Sequence, residues 1–308
     1  KIQELKDRIA SVIVGQEQTV DLVLTAILAN GHVLIEGVPG VAKTLLARLT
    51  ARLIDADFSR VQFTPDLMPS DVLGTTVFNM KTNGFDFHQG PIFADIVLVD
   101  EINRAPAKTQ AALFEVMEER QISIDGTTHR MGDLYTILAT QNPVEQEGTY
   151  KLPEAQLDRF LMKITMDYPS LEEEVNILER HHTNAALVKL DDIVPAITKE
   201  ELLSLRAFMN QVFVDRTLLQ YIALIVQQTR TSKAVYLGAS PRASVAMLQS
   251  SKAYALLQGR DFVTPEDIKF VAPYVLQHRL ILTAEAEMEG YSPVKVTQRL
   301  IDKVEVPK

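Results

Sequence analysis

The chain has 308 residues, of which 46% are hydrophobic and 23% are charged, a composition typical of a folded globular protein. It contains no cysteine, which excludes disulfide frameworks, cysteine zinc sites, thiol nucleophiles and iron–sulfur clusters, and we expect a cytoplasmic protein. The net charge of −9, from 31 Lys and Arg against 40 Asp and Glu, argues against a protein that coats nucleic acid by bulk electrostatics.

The first half of the chain alternates between helical and strand-like patterns. Helical spacing predicts helices at Gln3–Ala10, Thr19–Asn30, Thr44–Ile54 and Pro106–Arg120. Short apolar runs predict buried strands at His32–Glu36, Arg60–Phe63, Ile96–Val99, Tyr135–Thr140 and Leu161–Met166. Because such strands alternate with amphipathic helices, we expect right-handed βαβ crossovers and a parallel sheet.

The strand signal largely stops after Pro169. Helices are predicted at Leu171–His181, Thr198–Gln211, Asp215–Thr231, Pro241–Gln258 and Thr264–His278. The predicted fold is therefore an α/β core over residues 1–170, followed by a smaller all-helical domain over residues 171–308. The longest apolar stretch, residues 22–35, is shorter than the roughly 20 residues of a membrane helix, so no membrane span is expected.

A glycine-rich loop follows the first buried strand and precedes a helix. The loop reads Gly37, Val38, Pro39, Gly40, Val41, Ala42, Lys43 and Thr44, with Leu45 next. This strand–loop–helix context is that of a phosphate-binding Walker A loop, in which backbone N–H groups converge on phosphate. Lys43 would reach the phosphates and Thr44 would bind Mg²⁺. The alternative is a Gly-Pro-Gly turn with a surface lysine.

Ala42 stands where the general Walker A pattern has glycine. A methyl group is tolerated there if the backbone is near-helical, and costs about 1 kcal/mol or more if φ is positive.

Two acids, Asp100 and Glu101, follow the buried strand Ile96–Val99. In a nucleotide hydrolase the first acid holds the Mg²⁺ shell and the second polarises the attacking water. Two solvated acids at a strand end are the alternative. Together with the upstream loop, the pair favours nucleotide hydrolysis.

Further segments resemble the MoxR family of AAA+ ATPases over most of the chain and in the family's order. They are Val14-Gly15-Gln16, GVPGVAKT at 37–44, VDEINRAPAKTQAALFEVMEERQ at 99–121, ATQNP at 139–143, LPEAQLDRF at 152–160 and GASPRA at 238–243. The resemblance implies a P-loop AAA+ αβα core with a helical lid. It also implies ATP and Mg²⁺ as ligands, a ring that is hexameric in this family, and a protein partner carrying a von Willebrand factor A domain.

The resemblance assigns roles to further residues. Asn142 matches sensor 1, Arg159 the arginine finger that acts on a neighbouring subunit's nucleotide, and Arg242 sensor 2. Val14 and Gly15 match the adenine pocket. Each has a plainer alternative. Asn142 could simply form a turn before Pro143, and Arg159 could form an ion pair with Glu154 or Asp158. Arg242 could be an exposed arginine at a helix start, and Val14 and Gly15 could serve apolar packing. For Arg104 a subunit interface and an ordinary surface arginine stay open.

Turn signals predict two hairpins. Asn83-Gly84 lies within residues 76–91, and Asp125-Gly126 lies within residues 121–131. Hairpins at these places face the pore or the substrate in related AAA+ proteins. Phe85 and Phe87 are candidates for gripping polypeptide or for simple packing.

The expected function is chaperone-like remodelling or maturation of a protein partner, driven by ATP hydrolysis. The alternatives are a nucleic-acid motor, a nucleotide-gated scaffold and the ATPase subunit of a metal chelatase. Residues 1–170 carry 15 Lys and Arg against 23 Asp and Glu, and the hairpins place Lys81 and Arg130 beside Asp86 and Asp125. Because a DNA-translocating pore needs more positive charge, a nucleic-acid partner is not expected. Glu101, Asn142 and Arg159 together weigh against a scaffold.

Overall fold

The computed structural model describes residues 1–142, 149–183 and 190–307, so Pro143 of the ATQNP segment lies outside the described residues. Its helices, in chain order, are α1 (Ile2–Val12), α2 (Glu17–Leu28), α3 (Lys43–Leu53), α4 (Pro69–Leu73), α5 (Ala107–Glu119), α6 (Glu154–Leu157), α7 (Leu171–His182), α8 (Lys199–Met209), α9 (Arg216–Thr231), α10 (Pro241–Leu257), α11 (Pro265–Leu276), α12 (Ala284–Met288) and α13 (Pro293–Asp302). Its strands are β1 (Val33–Gly37), β2 (Phe58–Gln62), β3 (Gly74–Asn79), β4 (Gly84–Gln89), β5 (Ile96–Asp100), β6 (Gln121–Ile124), β7 (Thr127–Arg130), β8 (Thr136–Gln141), β9 (Met162–Met166), β10 (Val235–Leu237) and β11 (Ile281–Leu282).

The main sheet of the described chain has five strands in the order β2-β5-β8-β1-β9. The pairs β2–β5, β5–β8 and β1–β8 are parallel, as the alternating pattern predicts. Strand β5 is buried along its whole length, which agrees with its continuous apolar run. Because the carboxyl ends of parallel strands meet at one edge, the ends of β1, β5 and β8 bring the loop, the acid pair and Asn142 to the same edge.

Both predicted hairpins are present. β3 pairs antiparallel with β4, and β6 pairs antiparallel with β7. Their turns use left-handed backbone at Asn83 (φ 52°), Asp125 (φ 49°) and Gly126 (φ 79°), the conformation that Asn-Gly and Asp-Gly turns favour. Thr76 Oγ1 donates to Asp125 Oδ2 at 2.6 Å and joins the two hairpins.

The chain packs as two compact units. The first comprises Lys1–Val20, His32–Leu152 and Thr165–Leu203, and the second comprises Asp21–Gly31, Pro153–Ile164 and Ser204–Lys308. Residues 171–203 pack with the first unit because Arg180 donates to Ser11 O at 2.7 Å and Ala196 N donates to Leu53 O at 2.8 Å. These packing units are built from several segments and do not divide at residue 170. The domain boundary at residue 170 remains a prediction.

The second unit is built on α9, α10 and α11, with α13 packed against α9 and α11. It also contains a short antiparallel ribbon of β10 and β11, an addition to the all-helical domain that the sequence predicts. Strands of two or three residues carry too little periodicity to be recognised in a sequence. Within this unit, the rings of Tyr254 on α10 and Phe270 on α11 stack with their centroids 4.1 Å apart.

Candidate nucleotide site

The glycine-rich loop connects the end of β1 to the first turn of α3, as predicted. Lys43 Nζ donates to Gly37 O at 2.6 Å, so the lysine head lies over the start of the loop. Burial lowers the pKa of Lys43, and the nearby carboxylates of Asp100 and Glu101 oppose that fall. The structure thus brings the loop lysine within electrostatic reach of both acids.

Two glycines of the loop have different structural reasons. A Cβ at Gly37 would lie 2.7 Å from Met166 O, so the close approach of the end of β9 requires glycine there. Gly40 has φ +88°, and among the described residues no atom lies within 4 Å of a Cβ built there, so backbone conformation rather than space favours glycine. The open space around Gly40 leaves room for a ligand against the loop backbone.

Ala42 adopts φ 62° and ψ 22° as the residue that caps α3. Because φ is positive, Ala42 is the costly one of the two cases considered from the sequence: its methyl group makes the left-handed backbone unfavourable by about 1–2 kcal/mol. The Ala42 carbonyl accepts from Leu46 N at 2.9 Å and so begins the helix.

Asp100 is buried at the end of β5, 7% exposed. Its Oδ1 accepts a hydrogen bond from Thr140 Oγ1 at 3.0 Å, and its Oδ2 is 2.6 Å from Arg60 Nε. Each carboxylate oxygen has two lone-pair sites, so both oxygens keep a site for a further donor or a cation.

Glu101 adopts a left-handed backbone, φ 56° and ψ 50°, immediately after the strand. Its N–H donates to Thr140 Oγ1 at 3.0 Å, and its Oε2 is 2.8 Å from Arg104 Nε and 3.0 Å from Gln62 Nε2. Non-glycine residues in this conformation are held by their surroundings and concentrate at functional sites. Arg104, left open by the sequence, contacts the second acid.

Asn142 directly follows Gln141, which pairs with Glu36 at the end of β1. On its other side β8 pairs with β5, with Ala139 opposite Val99. Asn142 is 9% exposed and lies one residue beyond the last pair of β1 with β8 and three residues beyond the last pair of β5 with β8. Asn142 therefore follows the strand that lies between the loop-bearing β1 and the acid-bearing β5.

A cavity of about 310 Å³ lies beside the loop within the first unit. The amino-terminal segment, the loop and α7 all contribute to its lining, which includes Val14, Gly40, Ala42, Leu45, Ile177, Arg180 and His181. Of the two residues assigned to the adenine pocket, Val14 is among the lining residues and Gly15 is not. Glycine is favoured at position 15 because φ is +71° and because a Cβ there would lie 2.4 Å from the Glu173 carboxyl group.

Comparison with known proteins matches both parts of the chain. Residues 32–162 match the ATPase family associated with various cellular activities (AAA), and residues 227–302 match the AAA lid domain. Chaperone MoxR1 of Mycobacterium tuberculosis is 44% identical over 306 residues, covering 96% of this chain and 80% of the relative. The chain belongs to the MoxR family of AAA+ ATPases.

Other relatives agree with this family assignment. Protein MoxR of Methylorubrum extorquens is 31% identical over 303 residues, covering 91% of this MoxR-family chain and 87% of the relative. The crystal structure of a Cytophaga hutchinsonii protein described as a candidate ATPase superposes with a TM-score of 0.91 at 41% identity, covering 100% of this chain and 95% of that one. The AAA+ core, the lid, nucleotide binding and ATPase activity follow from this membership.

Two arginines assigned from the MoxR resemblance lie in the second unit. Arg159 follows α6 and donates from Nη1 to Ala155 O at 3.1 Å. Arg242 is an exposed residue in the first turn of α10. Asp158, one of the two acids considered as a partner of Arg159, has its Oδ1 2.6 Å from Arg279 Nε.

Several residues at the MoxR site were given no role by sequence reasoning, although one of them, Thr140, lies within the ATQNP segment. Arg60, Gln62 and Thr140 contact the two acids, and Arg180 and His181 line the cavity. Arg60 and Gln62 stand two residues apart on β2, a spacing that places both on one face, but recognising their role requires knowing that β2 neighbours β5. Over the described ranges, no helix has the length and apolar character needed to cross a membrane.

Proposed function

We propose that this MoxR-family protein binds Mg²⁺-ATP, hydrolyses it in a ring assembly, and uses the energy to remodel or mature a protein partner. The observation that carries the proposal is that the parallel pairing of β1 with β8, and of β8 with β5, brings the loop that carries Lys43 and the acids Asp100 and Glu101 to one edge of the sheet. A phosphate-binding lysine beside a carboxylate pair at the end of a parallel strand is the arrangement that phosphoryl transfer requires.

Binding is assigned to the loop from Gly37 to Thr44. Its backbone N–H groups and the amino terminus of α3 favour phosphate, and Lys43 supplies the positive charge. The half-buried Thr44 hydroxyl and the Asp100 carboxylate are hard oxygen donors of the kind that Mg²⁺ prefers, so these residues fit the ion. When bound, Mg²⁺ neutralises charge on the phosphate oxygens. Val14 and the rest of the cavity lining are proposed to hold the adenine.

Hydrolysis is assigned to Glu101 as the base that orients and deprotonates the attacking water. Gln62 and Arg104 fix its carboxylate, and Thr140 fixes its backbone. Asn142 is proposed as the polar residue that holds the water or the terminal phosphate. Arg159 is proposed to act on the nucleotide of the next subunit and to stabilise transition-state charge there, whereas Arg242 acts in its own subunit.

A protein partner is supported by the surface of the first hairpin. Phe85 is 74% exposed and Met80 is 89% exposed at this hairpin, whereas Phe87 packs against His129 with ring centroids 4.2 Å apart. Exposed apolar side chains at a hairpin tip suit polypeptide better than a phosphate backbone. We propose a partner with a von Willebrand factor A domain and a hexameric ring, as expected for the family; the name of the Mycobacterium relative, a chaperone, is consistent with this.

The partner class is tested by ATPase stimulation. We expect a purified von Willebrand factor A domain protein to raise the turnover rate by about twofold or more, because partner engagement is coupled to conformational steps that limit turnover in many enzymes. Single- and double-stranded DNA at physiological salt should leave the rate unchanged. Stimulation by DNA but not by protein would replace this proposal with a nucleic-acid motor.

A further inference from the structure

The segment that carries Arg159 is held by the carboxyl-terminal end of α11 and the residues that follow it. Arg279 donates from Nε to Asp158 Oδ1 at 2.6 Å and from Nη2 to Phe160 O at 2.7 Å. It also reaches Asp158 O at 3.3 Å and Leu161 O at 3.2 Å. The residues immediately before and after Arg159 are therefore tied to one guanidinium group.

Two residues that precede Arg279 also donate hydrogen bonds to the segment that carries Arg159. His278 is buried, and because Phe160 O can only accept, its Nε2 donates to that oxygen at 3.0 Å. Burial holds the pKa of His278 well below its ordinary value, so the ring is neutral. Gln277 Nε2 donates to Lys163 O at 2.5 Å. Three consecutive side chains thus bind carbonyl groups of one short segment.

The donor set of Arg279 is fully used. Its remaining hydrogen bond is to Val275 O, in the last turn of α11. Its side chain is 4% exposed and that of Asp158 is 22% exposed. A guanidinium offers five N–H donors in a rigid plane, whereas an ammonium offers three from one point, so lysine cannot reproduce this set of contacts.

We propose that Arg279, assisted by Gln277 and His278, is the positioning residue of Arg159: it fixes the backbone on both sides of Arg159 and so sets where that guanidinium is presented. This inference rests on the proposed role of Arg159 as an arginine finger. A finger works only when its charge lies where transition-state charge develops on another subunit, and a misplacement of about 1 Å costs on the order of 10²-fold in rate.

The test uses Arg279→Lys in the full chain. We expect kcat to fall about 10²-fold with the KM for ATP little changed, because the finger acts in the transition state and not in nucleotide binding. Arg260→Lys is the matched control. It perturbs a buried ion pair with Asp267 at the opposite end of α11, away from the Arg159 segment, and should keep kcat within about twofold.

Mixing subunits separates positioning from damage to the fold. A Lys43→Ala subunit lacks a working nucleotide site but still presents its finger. Mixed with Arg159→Ala, it should restore turnover, and mixed with Arg279→Lys, it should restore turnover to the same extent. The mixture of Arg279→Lys with Arg159→Ala should stay inactive, because neither subunit presents a working finger.

The outcomes are distinguishable. Rescue of Arg159→Ala but not of Arg279→Lys overturns the positioning role and leaves the finger assignment intact. No rescue of Arg159→Ala at any ratio overturns the finger assignment and the inference together. If Arg279→Lys fails to fold, Asp158→Asn serves instead, since it removes the charge partner but keeps the carbonyl bonds. We expect a loss of about 10-fold, rescued in the same pattern, and failure of that rescue contradicts the proposal.

Discussion

Replacing Ala42 by glycine tests whether the phosphate loop is strained as the structure indicates. Ala42 holds φ 62° at the start of α3, where its methyl group makes left-handed backbone unfavourable by about 1–2 kcal/mol. Glycine removes that cost but adds about 0.4–1 kcal/mol of unfolded-state entropy. The net expectation is a stabilisation of about 0.5–1 kcal/mol, opposite in sign to most alanine-to-glycine changes in helical proteins.

The assay is urea unfolding and thermal melting of Ala42→Gly beside Ala111→Gly. Ala111 is an exposed residue in the interior of α5, where glycine should cost about 1 kcal/mol. Ala42→Gly should raise Tm by about 1–3 °C and keep the affinity for ATP, because glycine adopts the observed backbone freely. If Ala42→Gly destabilises the protein as much as Ala111→Gly does, then Ala42 does not occupy left-handed backbone and the reasoning is refuted.

Two further changes probe the supports of the site and of the cavity. Thr140→Val removes the hydroxyl that donates to Asp100 and accepts from Glu101 N, so kcat should fall about 10–100-fold in steady-state ATPase assays. Thr136→Val is the control, because Thr136 is buried on the same strand and its hydroxyl donates to Leu134 O. Its kinetics should stay near wild type. Unchanged kcat in Thr140→Val would contradict the role given to this hydroxyl. The Glu173 carboxylate caps α7 by accepting a hydrogen bond from Ser170 N, and this bond holds the pKa of Glu173 below its ordinary 4.5. The ionised carboxylate therefore stabilises the fold above pH 4.5, and this stabilisation is lost as the pH falls through the lower pKa of the folded state. Melting curves should therefore show Glu173→Gln less stable than wild type at neutral pH, and the difference should disappear once the pH falls below the lowered pKa of Glu173. Glu172→Gln in the same turn is the control and should be less destabilising at neutral pH. A difference for Glu173→Gln that does not depend on pH would contradict the assignment.

The elements that the sequence predicts well are those with a strong local signal. The run Ile96–Val99 forms a buried strand, and the segment after His32–Glu36 forms the expected loop and helix. The Asn-Gly and Asp-Gly turns form hairpins because their left-handed residues suit the twist of the strands. These features depend on a few consecutive residues, so a sequence contains them in full.

The features that the sequence does not contain depend on which elements become neighbours. Arg60 reaches Asp100 only because β2 lies next to β5, and strand order is not encoded in the alternation of helices and strands. Arg180 approaches the cavity from α7, far along the chain from the loop. The sequence cannot predict whether Ala42 is strained, because the strain depends on its φ angle and packing decides that angle.

Turnover and ATP binding of Glu101→Gln, measured on the same preparation, test the central claim most directly. Glutamine keeps the size of the side chain and its contact with Gln62 but removes the base, so ATP affinity should change by less than about threefold while kcat falls by 10²-fold or more. Glu115→Gln, an exposed residue on α5, is the matched control and should retain full activity. Full turnover in Glu101→Gln would contradict the assignment of Glu101 as the residue that activates water.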